Sequence, residues 1–253
     1  MATSVDRQSR KNGAILGMYV GDALAMPVHW YYDRRALARD YGRVTDYLAP
    51  KNPHPDSILW RSAYTPVNAN ADILHDQDRF WGRPGVHYHQ FLQAGENTLN
   101  LKLCTLMLNH LEKNGGYDAD VYLADYIAFM TTPGSHGDTY VEEYHRHFFN
   151  NLASGKPPRA CGVVEKHISG IIGMIPLAVY FAENPDQARR AAFEHLGHTH
   201  LGARMQAAGE LLMDVLLPVL GGEDLVEVIA DKVRRQDNPL LGHPLMRWLD
   251  DPD

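Results

Sequence analysis

The segment GAILGMYVGDALAMPVHWYY, residues 13–32, predicts the first helix of the chain and the way it packs. Glycine recurs at every fourth position of this segment, at Gly13, Gly17 and Gly21. Small residues therefore line one side of the helix, and a neighbouring helix can approach that side closely. Ile15 begins an adjoining apolar stripe, and Asp22 lies on the same face two turns later, so its carboxylate points inward. Such a carboxylate either caps a neighbouring helix or supports a metal ion or a cationic intermediate.

The composition is that of a globular chain that binds small molecules. Its 253 residues are 45% hydrophobic, enough for one large core, and we expect a single domain over residues 1–253. The formal net charge is −7 and no Lys/Arg run exceeds a pair, which argues against binding to nucleic acid or to a membrane surface. No stretch has about 18 consecutive apolar residues. Only Cys104 and Cys161 are present, without a CxxC pair, so a reducing cytoplasm is the predicted location.

Helical periodicity extends through most of the remaining sequence. The run 99–111 is apolar nearly all round and is followed by a glycine pair that starts at Gly115, a strong signal for the end of a buried helix. Asp118 is predicted to cap the next helix, and the sequence NPDQ at 184–187 combines a cap with an early proline. Further helical segments are predicted over 140–152, 199–220 and 223–235, whereas the glycine-rich stretch 162–182 contains Pro176 and is predicted to be kinked or broken. Because no alternating strand pattern is present, the predicted fold is all-α, a compact multi-helix bundle.

Residues 41–94 do not fit this pattern, since they are dense in Pro, Asn, Asp and aromatic residues. Loops of this length inside a compact domain are usually lids, binding loops or disordered segments, and the aromatic residues argue against disorder. The aromatic side chains either fill the flank of the helical core or form a lid over a nucleotide-like or sugar substrate. His87 and His89 form an HxH pair that, by itself, is weak evidence for a metal site.

Four motifs, in this order along the chain, resemble one known family. GDALAMPV at 21–28 is similar to the GDALG-x-P-[VF] signature of ADP-ribosylglycohydrolases, especially of their J-crystallin-like relatives. GENT at 95–98 stands in the place of the T-D-D-T motif that opens the central helix of that family. GSHG at 134–137 resembles the glycine-rich phosphate loop, and HTH at 198–200 resembles the H-x-H before a long helix.

The resemblance implies a compact all-α fold with two magnesium or manganese ions in a cleft, where the glycosidic bond of ADP-ribose is cleaved. Hard cations bind carboxylate and hydroxyl oxygens and position a water molecule that a carboxylate activates. This sequence departs from the family pattern in three places. His29 stands where the family has a glutamate, GENT keeps only part of the oxygen ligands, and the C-terminal acidic motif has no counterpart, so the domain is expected to be C-terminally incomplete relative to the family.

The candidate site residues follow from these matches. The resemblance implies Glu96 and Asp22 as catalytic residues and Glu96, Asn97 and His29 as ligands of a Mg²⁺ or Mn²⁺ ion. The implied substrate-binding residues are Gly134, Ser135, His136, Gly137 and His198. In the loop, free N–H groups before a helix favour a diphosphate. Alternatively, Asp138 or Thr139 is an ordinary N-cap of that helix, and His198 is a hydrogen-bonded residue at a helix end.

Three functions remain open. The first is an ADP-ribosylglycohydrolase-like hydrolase that cleaves ADP-ribose or a related nucleotide-sugar with a divalent metal. The second is a degenerate member that binds ADP-ribose without hydrolysis, and the third is a crystallin-like structural protein. If the sequence is complete, we also expect apolar surface at Leu101, Leu106 and residues 171–172 to be exposed or covered by a homo-oligomer.

Overall fold

The computed structural model describes residues 6–235 and confirms that the fold is all-α. The α-helices of this part are α1 (Arg7–Ala25), α2 (Arg34–Asp40), α3 (Leu99–Asn114), α4 (Ala119–Thr131), α5 (Glu143–Ala153), α6 (Met174–Tyr180), α7 (Pro185–Gly197), α8 (Ala203–Gly221) and α9 (Leu225–Arg235). Two short strands, β1 (Val163–Val164) and β2 (His200–Leu201), form a parallel pair. Over this described range, every helix is too short or too polar to cross a membrane.

Contacts divide the described chain into two compact units. The first unit contains residues 6–15 and 163–235, and the second contains residues 16–162. Helix α1 begins in the first unit and continues into the second. The single domain over residues 1–253 stays a prediction.

Helices α3 and α4 of the second unit form as their sequences predict. Leu101, Met107 and Leu111 of α3 are fully buried, and Gly115 ends the helix in the left-handed conformation that glycine adopts most easily. Helix α4 begins at the predicted cap, where the Asp118 side chain accepts hydrogen bonds from two successive backbone N–H groups, at 3.0 and 3.1 Å. The predicted C-terminal end of α3 and the predicted N-terminal end of α4 are therefore confirmed.

In the first unit, one predicted helix begins later than its sequence pattern indicates. The helix predicted over 199–220 starts at Ala203, because His200 and Leu201 pair with β1 instead. Gly202 turns the chain between strand and helix with a φ of +101°, a conformation that residues with a Cβ atom rarely adopt. Helix α7 begins as predicted, since the Asn184 side chain accepts a hydrogen bond from the backbone N–H of Gln187 at 3.2 Å.

The long irregular region is confirmed. Within residues 41–94, which the structure describes in full, the only helical segments are the 3₁₀ helices Leu59–Arg61, Ala69–Ala71 and His75–Phe80. Its aromatic side chains are tied into the surrounding structure. Tyr88 is fully buried, Trp81 Nε1 donates to the carbonyl of Thr139 at 2.8 Å, and the Tyr64 hydroxyl donates to the carbonyl of Ala71 at 2.6 Å. These contacts favour the packing interpretation for these three residues, while Trp60 is half exposed.

The glycines of α1 are not closely packed in the described part of the chain. A Cβ atom built on Gly13, Gly17 or Gly21 would have no atom within 4 Å. Leu16 and Val20, on the same helix, are exposed. The prediction of a closely packed neighbour on this side is therefore wrong for residues 6–235. The predicted apolar surface also differs, because Leu101 is buried, whereas Leu106, Ile171 and Ile172 are only partly exposed.

The His200 ring packs so closely on Gly170 that no side chain fits at this position. A Cβ atom built on it would lie 2.3 Å from Cε1 of the buried His200 ring. We expect Gly170→Ala to lower the free energy of unfolding by about 2 kcal/mol, because overpacking forces a fixed ring to move. The measurement is urea denaturation at neutral pH. The matched control is Gly17→Ala, which meets no neighbour and should stabilise α1 by up to about 1 kcal/mol. Equal midpoints for both variants would contradict the packing of His200 on Gly170.

Candidate functional site

Asp22, in the last turns of α1, binds the N-terminus of α3. Its Oδ2 accepts a hydrogen bond from the backbone N–H of Thr98 at 2.8 Å, and its Oδ1 accepts one from the Thr98 hydroxyl at 2.7 Å. Thr98 is the N-cap residue of α3, whose first N–H groups lack partners within the helix. A carboxylate there also interacts favourably with the helix dipole. Of the two alternatives for Asp22, this geometry favours capping of a neighbouring helix, and the catalytic assignment of Asp22 stays a prediction.

Asn97 and Glu96 direct their side chains to different partners. Asn97 Nδ2 donates to Asp22 Oδ2 at 3.0 Å and to the carbonyl of Tyr19 at 2.8 Å. Glu96 Oε1 accepts a hydrogen bond from Lys102 Nζ at 2.8 Å, and Glu96 Oε2 accepts one from the backbone N–H of Gln93 at 3.0 Å. The structure thus joins Asp22 and Asn97 directly, while the Glu96 carboxylate forms a partly exposed ion pair.

The hydrogen bonds of Glu96 set its charge. Partial burial raises the pKa of the Glu96 carboxyl, but the hydrogen bonds from Lys102 and Gln93 outweigh this effect and hold the pKa below its usual value. Glu96 is therefore ionised at neutral pH. An ionised carboxylate of this kind can stabilise a developing positive charge, but it is poorly suited to donate a proton.

Asp138 binds the next backbone N–H of the same helix. It is fully buried, its Oδ2 accepts a hydrogen bond from the Leu99 N–H, and its Oδ1 contacts His89 Nδ1. Burial raises the pKa of this carboxyl, but His89 and the Leu99 amide outweigh it and keep the pKa below its usual value. The N-terminus of α3 is therefore held by two carboxylates, Asp22 and Asp138, which come from segments far apart in sequence.

Three histidines adjoin this buried carboxylate. His29 Nδ1 lies 2.6 Å from His89 Nε2, and the two rings are nearly coplanar, with an interplanar angle of 12°. His87 Nδ1 accepts a hydrogen bond from the backbone N–H of His89 at 3.0 Å, and its Nε2 donates to the carbonyl of Pro27 at 3.0 Å. Burial lowers the pKa of both His29 and His87 to about 3. Both rings are therefore neutral at physiological pH.

Sequence reasoning missed the link between His89 and Asp138. The sequence marks His89 only as half of an HxH pair, and Asp138 only as a candidate N-cap of the helix that follows it. That helix, α5, begins at Glu143 after the N-cap residue Glu142, so the loop 133–139 does not lead directly into it. Both the helix-linked phosphate loop and the N-cap role of Asp138 or Thr139 in α5 are therefore wrong. A buried aspartate that caps a distant helix leaves no local sequence signal.

The loop 133–139 contains buried polar atoms that lack a partner. Ser135 Oγ and both ring nitrogens of His136 are inaccessible to solvent and make no hydrogen bond within residues 6–235. Burial lowers the pKa of His136, so its ring is neutral and can donate one hydrogen bond and accept another. Gly134 turns the loop with a φ of +81°, and Gly137 lies against Leu92. A buried polar group without a protein partner indicates a bound water molecule, a bound ion or a functional role.

His198 belongs to the other unit. It follows the last residue of α7, it is buried, and its backbone N–H donates to the carbonyl of His195 at 3.1 Å. This position agrees with the alternative that His198 is a residue of a helix end. Its contact with a substrate stays a prediction.

The predicted metal ligands do not fit a divalent ion in the arrangement observed. The carboxylate oxygens of Glu96 already accept hydrogen bonds from Lys102 and Gln93, and His29 Nδ1 contacts His89. Over residues 6–235, no three His, Cys, Asp or Glu side chains form a group that could hold a metal ion. The two cysteines, Cys104 and Cys161, are buried.

Comparison with protein-family models identifies the family of this chain. A family model described as ADP-ribosylglycohydrolase matches residues 3–251, nearly the whole chain. A search of curated proteins found no match.

Proposed function

Because this chain belongs to the ADP-ribosylglycohydrolase family, we propose that it binds an ADP-ribose-type ligand at the loop 133–139 and hydrolyses its glycosidic bond. The family supports hydrolysis of ADP-ribose-related glycosidic bonds as the reaction class. The observation that carries the location is the set of solvent-inaccessible polar atoms of Ser135 and His136 without a partner in residues 6–235. Gly134 and Gly137 complete the proposed loop.

One cation near the loop, Lys102, supports an anionic ligand. Lys102 lies close enough to lower the pKa of His136, although the buried Asp138 carboxylate raises that pKa more strongly, and Lys102 is partly exposed while paired with Glu96. A ligand diphosphate can therefore meet one cation together with neutral donors. Among the predicted catalytic carboxylates, we retain Glu96 to stabilise the cationic transition state of glycoside cleavage. Asp22 is already engaged by three hydrogen-bond donors.

Calorimetric titration of ADP-ribose into the wild type and into His136→Ala tests the site. We expect the variant to bind at least about tenfold more weakly, since it loses one buried hydrogen bond worth on the order of 1.4 kcal/mol. His147→Ala is the matched control, because His147 is an exposed histidine bonded to Glu143 on α5. Equal affinity of the two variants for ADP-ribose would contradict a binding site at this loop.

A second function, ligand binding without hydrolysis, is favoured by the contacts of the carboxylates. Asp22 caps a helix and Glu96 is paired with Lys102, so neither is a free base. Titration of ADP-ribose with and without Mg²⁺ or Mn²⁺, combined with an assay on an ADP-ribosylated peptide, separates the alternatives. Turnover supports the hydrolase, binding without turnover supports a degenerate member, and the absence of both supports a crystallin-like structural role.

Family members generally use divalent metals, but we assign no step to a metal here because the described donors do not fit one.

A homo-oligomer stays part of the proposal. The exposed Leu16 and Val20 on the glycine side of α1 supply apolar surface that a second copy can cover. Light scattering that gives the mass of one chain at micromolar concentration would contradict it.

A further inference from the structure

The contacts of Asp138, His89 and His29 form one continuous line of hydrogen bonds. Asp138 Oδ1 contacts His89 Nδ1, and His89 Nε2 contacts His29 Nδ1 at 2.6 Å. The ring centroids of the two histidines are 4.9 Å apart and the ring planes are nearly parallel, so the 2.6 Å contact between the nitrogens joins the rings edge to edge. The line begins at a fully buried carboxylate and ends at a partly exposed ring.

The donor and the acceptor of each hydrogen bond in this line can be assigned. Asp138 is an acceptor only, so His89 donates through Nδ1. With its proton on Nδ1, a neutral His89 offers a lone pair at Nε2, and His29 must donate to it through its own Nδ1. The proton of a neutral His29 is then on Nδ1, and His29 Nε2 has a lone pair. That nitrogen makes no hydrogen bond within residues 6–235.

Neighbouring groups restrict the other ways to arrange these protons. His87 is fixed by its contacts with Pro27 and with the backbone of His89, so it keeps its proton on Nε2. The titratable groups that affect His29 are His54, His87, His89 and Asp138, and only Asp138 carries a negative charge. A proton that enters at His29 is therefore stabilised mainly by Asp138 through His89.

We propose that Asp138, His89 and His29 form a proton relay, in which His29 Nε2 is the general base that activates the attacking water in the proposed hydrolysis. The inference rests on the proposed function and adds a catalytic residue, His29, and two positioning residues, His89 and Asp138. Burial, together with the neighbouring His89, makes His29 a weak base, with a pKa of about 3. The relay removes this difficulty because the positive charge does not remain on His29.

The water oxygen forms a bond to the anomeric carbon and gives a proton to His29 Nε2, while the Nδ1 proton of His29 moves to His89 Nε2. His89 becomes an imidazolium ion beside the Asp138 carboxylate. The bond between the anomeric carbon and the leaving group breaks, and the leaving group keeps the electron pair and takes a proton from solvent. The proton on His89 Nε2 then moves back to His29 Nδ1, and His29 Nε2 releases its proton to solvent.

Asp138→Asn tests the relay without any ligand. The amide oxygen can still accept the Leu99 N–H, but the amide nitrogen now donates to His89 Nδ1. This reverses the proton positions along the line, so His89 donates through Nε2 and the His29 proton moves to Nε2. We expect ¹⁵N-histidine NMR at neutral pH to show a protonated Nδ1 on His29 in the wild type and a protonated Nε2 in the variant. His87 should keep its proton on Nε2 in both.

The matched control is Asp125→Asn, which replaces another aspartate near a buried histidine, His110. It should leave the His29 signals unchanged. A wild-type His29 that has its proton on Nε2, or that titrates like an exposed histidine, would overturn the relay. If Asp138→Asn does not fold, His89→Gln serves instead, and an unchanged His29 signal in that variant would overturn the relay as well.

Turnover gives a separate readout. With an ADP-ribosylated peptide as substrate, Asp138→Asn should lower kcat by about 10²-fold or more and change KM little, because only proton transfer is impaired. A wild type without turnover would contradict the proposed hydrolysis, whereas the NMR result would still decide the relay.

Discussion

Acidification from pH 6.5 toward pH 4 is expected to destabilise the protein steeply. Burial lowers the pKa of His29 and His87 to about 3 and that of His200 to about 4, from an ordinary value of 6.5. In this window the unfolded chain binds protons that the folded chain does not, so stability falls as the pH falls. Each of the three histidines contributes a slope of up to about 1.4 kcal/mol per pH unit.

Urea denaturation monitored by circular dichroism over this pH range measures the effect. His29 and His87 lie in one unit and His200 lies in the other, so both units should lose stability. The pKa of the buried Asp138 carboxyl is lowered in the folded state. This group therefore reduces the stability further only when the pH falls below its ordinary pKa of 3.8. His147→Gln removes an exposed histidine and should leave the pH profile unchanged. A flat profile between pH 6.5 and pH 4 would show that these rings are accessible to protons in the folded state.

Replacement of Asp22 is expected to cost about 3 kcal/mol of unfolding free energy. In Asp22→Ala, the Thr98 N–H, the Thr98 hydroxyl and the Asn97 amide lose their common acceptor. Loss of a cap costs about 1 kcal/mol, and hydrogen bonds to a charged group are worth more than neutral ones. Urea denaturation of the variant against the exposed control Asp76→Asn gives the difference.

The same variant separates the two interpretations of Asp22. If Asp22 is a catalytic carboxylate rather than a cap, its loss should abolish turnover and leave stability nearly unchanged. A change in unfolding free energy below about 0.5 kcal/mol, the usual range for surface substitutions, would therefore contradict the capping role.

The sequence predicts the helices of this chain well wherever local signals set their ends. Asp118 and Asn184 cap α4 and α7 as predicted, and Gly115 ends α3. The start of α8 was misplaced because β2 depends on pairing with β1, a contact between segments distant in sequence. Helical periodicity carries no information about such a pairing, so the pattern extended the helix too far toward its N-terminus.

The candidate site was predictable only in part. The motif GENT correctly locates the start of α3, and the interaction of Asp22 with Asn97 and Thr98 agrees with an inward carboxylate. The relay was not predictable, because His29, His89 and Asp138 come from three separate segments that only the folded chain brings together. The glycine repeat of α1 was misleading for a different reason, since periodicity identifies a smooth helix side but not what covers it.

The two aspartates at the start of α3 also couple the motions of distant parts of the chain. Thr98 and Leu99 are consecutive residues, and their amide protons are held by a carboxylate from α1 and by one from the loop 133–139. Neither segment can detach without exposing a helix end to solvent. Detachment of either segment therefore exposes one of two neighbouring amide protons, whose exchange rates report on segments 76 and 39 residues away.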